Sequence, residues 1–143
     1  MVTTEDPARR AWDLMQRFVQ SHSRHRELAD ALGFGLGGGR GRVLFQLRGG
    51  PMSLRAIADA NGFDAPYATL VVDKLERHEL VERRQDPGDR RRKLVSLTAA
   101  GREAVATADA ILLRPPAAVG TLPAGDLERL AALLARLLDA DAS

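Results

Sequence analysis

The stretch LVERRQDPGDRRRKLVSLT, residues 80–98, carries two strand-like runs around a turn. From Leu80 to Arg84 the pattern changes toward the period of a strand. Asp86-Pro87-Gly88-Asp89 is a strong turn: proline presets one backbone angle, glycine accepts a positive one, and aspartate bonds its own backbone. Lys93 to Thr98 alternates again, with Leu94 and Val95 on opposite faces and Leu97 following. The stretch therefore reads as a β-hairpin whose loop is DPGDRRR.

The residues just before it read as two short helices. In SLRAIADANG, Ser53 is placed to cap, Leu54, Ile57 and Ala58 share a face, and Asn61-Gly62 closes the helix. A second helix follows from Ala65 to His78, with Asp64 as N-cap and Pro66 in its first turn. Tyr67, Val71, Val72 and Leu75 step along one side, and Leu70 is expected in the core with them. Two short helices joined by a glycine-containing turn form a helix-turn-helix. Followed by a basic hairpin, they make a winged helix.

The flanks read as helices too. Ala8 to Leu32 is expected to be one long helix, since Ala11, Met15, Phe18, His22, His25, Ala29 and Leu32 recur on one face between Pro7 and Gly33. Arg42 to Leu47 reads as a shorter helix ending at Gly49-Gly50-Pro51. Thr98 is placed to cap a helix from Ala99 to Leu113, which Pro115-Pro116 ends. Asp126 is placed to cap a last helix carrying Leu127, Leu130, Leu134 and Leu137. Between the first two helices lies GFGLGGG, which contains a literal G-x-G-x-x-G at Gly33, Gly35 and Gly38. A dinucleotide site needs a strand before that motif and a βαβ unit around it. A long helix precedes it here, so the stretch is a connection. Its glycines, with Gly41, are expected to fray the start of the second helix, since each costs roughly 1 kcal/mol against alanine inside a helix.

Composition narrows the function. A chain of 143 residues with 45% hydrophobic and 28% charged residues suits one globular domain. The lack of cysteine removes disulfides, thiolate metal sites and thiol chemistry. No run of 18 apolar residues exists and MVTTEDPARR has no signal-peptide core, so a cytoplasmic protein with no membrane partner is expected. Ser21, Ser23, Ser53, Ser96 and Ser143 have no acid–base partner at motif spacing, and the carboxylates are scattered over helix faces. Neither an enzyme nor a cofactor is therefore expected. His22 and His25 lie three apart, but a third metal ligand would have to come from elsewhere, so no metal is assigned. They are expected instead to pack at a helix seam. The net charge is only +2, yet Arg83 to Lys93 holds six basic residues against Asp86 and Asp89. All but two of the 21 basic residues are arginine, which suits phosphate contacts.

DPGDRRRKLVSLTAAG, residues 86–101, and LRAIADANGFDAPYATLVVDKLERHELVERR before it resemble the multiple-antibiotic-resistance-regulator (MarR) family of winged-helix transcription factors. The order of helices resembles that family over nearly the whole chain. The resemblance implies a mainly α fold with a small β-wing, a winged helix-turn-helix embedded in an all-helical dimerisation base. One MarR-like domain spans 1–143, with 8–50 and 99–143 as dimerisation helices and 51–98 as the winged lobe. It further implies a homodimer on a pseudo-palindromic operator in double-stranded DNA, acting as a repressor. A small aromatic or phenolic effector, held in a crevice walled by the first helix, would release the DNA. Trp12, Met15, Phe18 and His22 are the candidates there, although each can instead be core. The other class of reading is a winged-helix module for ligand binding or protein interaction, with weak DNA binding.

By the same resemblance, Ala65 to His78 is the recognition helix, with Ala65, Tyr67, Ala68 and Thr69 facing bases or phosphates. Tyr67 can alternatively pack between helices. Leu70 and Pro66 stand where many relatives have polar residues, which weakens hydrogen-bonded readout. In the wing, Asp89 is expected to pair with Arg91, leaving Arg90 and Arg92 to reach the minor groove and flanking phosphates. Arg55, Lys74, Arg77 and Arg84 are further phosphate candidates.

Overall fold

The computed structural model of the chain describes residues 4–143. Its elements run α1 (Pro7–Ser21), α2 (His25–Leu32), α3 (Arg40–Leu47), β1 (Met52–Ser53), α4 (Leu54–Asn61), α5 (Ala65–Arg77), β2 (Val81–Asp86), β3 (Asp89–Leu97), α6 (Ala99–Leu112) and α7 (Ala124–Asp141). A short 3₁₀ turn, Val119–Thr121, precedes α7. The fold is thus mainly helical with one small antiparallel sheet, as expected. Two units separate by their internal contacts: the chain up to His22 with Leu113–Ser143, and Ser23–Leu112.

The larger unit holds the core. Val43, Leu44 and Leu47 of α3, Ile57 of α4, Val71, Val72 and Leu75 of α5, and Val95 of β3 are buried together with Leu80, Val81, Ala104 and Val105. Each large side chain fully buried there contributes on the order of 1.5–3 kcal/mol. The sheet order is β1-β3-β2, so β3 is central. Val95 pairs with Met52 on one side and Arg83 on the other. β1 is only two residues long and has no sequence signature. It forms because the segment entering α4 runs beside β3, and Ser53 then accepts from the Ala56 amide at 3.1 Å to cap that helix.

The start of α6 is fastened to the sheet. The Thr98 hydroxyl donates to the Glu79 carbonyl at 2.6 Å and accepts from the Gly101 amide at 3.0 Å. Gly101 lies directly on the chain at Leu80: a Cβ there would sit 2.0 Å from the Leu80 carbonyl oxygen. Only glycine allows α6 that close an approach.

Three expectations are corrected. The long first helix is two helices, broken at His22–Arg24. The Ser21 hydroxyl bonds back to the Phe18 carbonyl at 2.8 Å and the His22 amide turns onto Val19 at 3.2 Å, which ends the α-helical ladder. Arg24 then bonds the Ile111 carbonyl and ties the entry of α2 to α6. The start of α3 is held rather than frayed. Gly39 takes φ +90° as its N-cap, the Gly41 amide bonds the Leu36 carbonyl at 3.0 Å, and Gly41 is buried against Leu36. Finally, α7 begins at Ala124, two residues before Asp126, which sits in its first turn.

Candidate nucleic-acid interface

The helix-turn-helix is α4 and α5. Asp64 caps α5 by accepting from the Tyr67 amide at 2.8 Å, and Pro66 fits the first turn because its missing N–H has no helical partner there. Ala68, Val71, Val72 and Leu75 form the inner face of α5. Their burial sets the rotation of the helix. Ala65, Pro66, Leu70, Lys74 and Arg77 then lie on the exposed side, with Thr69 half-buried beside them. Two expectations change. Ala68 is 0% exposed and cannot touch a base. Leu70, expected in the core, is 43% exposed. Its position one step before Val71 turns it outward.

Tyr67 is committed within the protein. Its hydroxyl donates to the Gly38 carbonyl at 2.7 Å, and its ring meets Phe63 edge-on at 4.8 Å. Phe63 also packs on Gly39, where a Cβ would lie 2.4 Å from the ring. The glycine connection is therefore a seat for the start of α5, and this holds Tyr67 to the packing alternative.

The wing presents its arginines by a break in the ladder. Gln85 pairs with Lys93, while Asp86 pairs with Asp89. Arg90, Arg91 and Arg92 have no partners opposite them and bulge outward, all three exposed. The loop is fixed by backbone bonds: Asp86 accepts from the Gly88 amide at 2.9 Å, and Asp89 accepts from the Arg91 amide at 3.0 Å. Asp89 thus grips the main chain of Arg91 and not its guanidinium. Of the loop arginines, Arg92 lies beside a loop carboxylate, its Nε 4.0 Å from Asp86.

Pairing sorts the remaining cations. Arg84 bonds Glu82 at 2.9 Å, which weakens its attraction for a phosphate. Arg83, read only as one more wing charge, bonds Asp73 and lies 3.7 Å from Glu76. It ties β2 to α5, and nothing in sequence marks it because both acids lie on another element. Among the described residues, Arg55, Lys74, Arg77, Arg90, Arg91 and Lys93 are exposed and form no ion pair.

The ligand candidates fall in the smaller unit. Trp12 and Phe18 are exposed, Met15 is half-buried, and His22 ends α1 with its ring 4.7 Å from that of Phe18. The helix break separates His22 from His25. In the larger unit His25 lines an apolar pocket of about 500 Å³ with Leu28, Leu36, Phe45 and Arg42. Among the described residues no cluster of three metal-ligating side chains exists, and no helix is long and apolar enough to cross a membrane.

Comparison with known proteins bears on this lobe. Residues 41–93 match the model of the MarR family. The HTH-type transcriptional repressor NicR of Pseudomonas putida is 33% identical over 99 residues, 64% of this chain and 59% of NicR, so the match spans less than two thirds of that relative. A probable transcriptional regulator from Pseudomonas aeruginosa, known as a crystal structure, is 35% identical, with 82% of this chain and 91% of that chain covered and a TM-score of 0.55. The crystal structure of an S. aureus MepR–DNA complex is 22% identical, with 92% and 95% covered and a TM-score of 0.64. At that identity the likeness to MepR is one of fold.

Tyr67→Phe separates packing from phosphate contact. It should cost about 1 kcal/mol in urea unfolding, the net worth of one hydrogen bond, and change DNA affinity less than about twofold. A loss of affinity at unchanged stability would return the hydroxyl to the DNA surface.

Proposed function

The chain belongs to the MarR family and is a DNA-binding transcription regulator, not an enzyme, and from this premise we propose that it is a cytoplasmic repressor. It acts as a homodimer on a pseudo-palindromic operator and leaves it when a small aromatic or phenolic ligand binds. The observation that carries the DNA part is the set of exposed cations without ion pairs on α4, α5 and the wing of one lobe. Phosphates attract such a set and release counterions on contact. The repressor role follows NicR, which is named a repressor.

The dimer proposal rests on apolar surface. No residue of α1 or α7 is buried, and Trp12, Leu14 and Val19 on α1 and Leu133, Leu137 and Leu138 on α7 are exposed. Apolar stripes of this size mark interaction sites. We assign the dimer contact to segments within 8–50 and 99–143, centred on these two helices, and the DNA lobe to 51–98. The ligand proposal rests on the α2–α3–α6 pocket, where Phe45 offers an aromatic wall and Arg42 a cation for a carboxylate or phenolate.

Each part has its measurement. Arg90→Ala with Arg92→Ala should weaken binding to operator and random DNA alike in an anisotropy titration, and lower the salt slope by about one for each phosphate that the wing no longer reaches. Unchanged operator affinity would remove the wing from the interface. Leu133→Asp with Leu137→Asp should convert a dimer to monomer in sedimentation velocity; a wild-type monomer at micromolar concentration would overturn the dimer. A ligand of this class at about 100 times its Kd should stabilise the protein by about 2.7 kcal/mol in thermal unfolding. No shift across a broad set of phenols and aromatic acids would count against an effector of this class.

A further inference from the structure

The stripe Pro66, Leu70, Lys74 and Arg77 runs along the exposed side of α5 at steps of four, four and three. Its first half is apolar and its second half cationic. Within 65–70 the other side chains offer little to a base edge: Ala65 has no polar group, Ala68 is buried, and the Tyr67 hydroxyl is bonded to Gly38. Thr69, half-buried, is the remaining hydrogen-bonding side chain, and no arginine or lysine precedes Lys74 on the helix.

Resting on the DNA-binding reading above, we infer that Leu70 and Pro66 are the specificity-determining residues, and that they read thymine C5-methyl groups in the major groove. In that groove thymine alone among the four standard bases carries a methyl, and apolar side chains recognise it. The commonest guanine readout is a bidentate arginine or lysine, which this part of the helix lacks. Lys74 and Arg77, further along the same stripe, hold the backbone phosphates and press the apolar half against the bases. The charge of the same unit fits this occupant: Arg55 on α4 and Arg90, Arg91 and Lys93 on the wing are exposed cations without ion pairs. Each half-site should therefore hold thymines at its centre where Leu70 docks, with no guanine required there.

The test starts from duplexes selected by the full-length protein out of a random library. In the enriched duplex the central thymines are replaced by deoxyuridine, which lacks only the methyl. Burial of one methyl group is worth about fourfold, so one replacement in each half-site should weaken binding roughly 15-fold, with the salt slope unchanged. Leu70→Ala, at an exposed position, should weaken binding to the thymine duplex comparably, leave random DNA unaffected, and make the deoxyuridine replacement nearly silent. Equal binding of thymine and deoxyuridine duplexes would overturn the inference, as would additive penalties. A change in self-association with DNA binding untouched would also overturn it, by making the patch a protein contact. No enriched sequence at all would overturn the DNA-binding reading instead.

Discussion

The rotational setting of α5 is the constraint on which the exposed face of the helix-turn-helix depends. Ala68, Val71, Val72 and Leu75 are each at most 2% exposed and pack on α3, α4 and the sheet. Turning the helix by one residue would expose that face and lose several kcal/mol of burial. The outward residues are consequently not free to vary in place. Pro66, Leu70, Lys74 and Arg77 face out because their neighbours face in.

Two further devices hold that setting. At the N-terminal end the glycine connection receives Phe63 and the Tyr67 hydroxyl. At the C-terminal end Arg83 of β2 reaches Asp73 and Glu76. The second tie joins α5 to β2 of the wing. It also removes one arginine from the basic cluster. The charge available for phosphates is what the ion pairs leave, and it lies on the wing bulge and at the end of the helix.

The bulge itself follows from the turn. Two aspartates bracket Pro87-Gly88, and each accepts a backbone amide two residues on. Their carboxylates are taken up by the main chain, which lets three successive arginines stand out of the ladder. In the smaller unit the opposite holds: apolar side chains of α1 and α7 are left without cover. Charge is turned outward in one unit and leucine in the other.

Local chemistry made much of this legible in the sequence. Asp64, Ser53 and Thr98 cap helices where their spacing said they would, Gly33 and Gly62 end helices, and the DPGD turn makes the wing. Caps, turns and periodicity act over three or four residues, so they survive without knowledge of the fold. What depended on distant segments did not show. The two-residue strand β1, the exposure of Leu70 and the pairing of Arg83 all follow from which elements meet. A side chain's partner across 10 or 29 residues is chosen by packing, and no periodicity records it. Residue types and spacings thus determined a winged helix with a basic hairpin. Only the folded chain decided which of those bases are free, because burial sets the faces and ion pairs consume the charge.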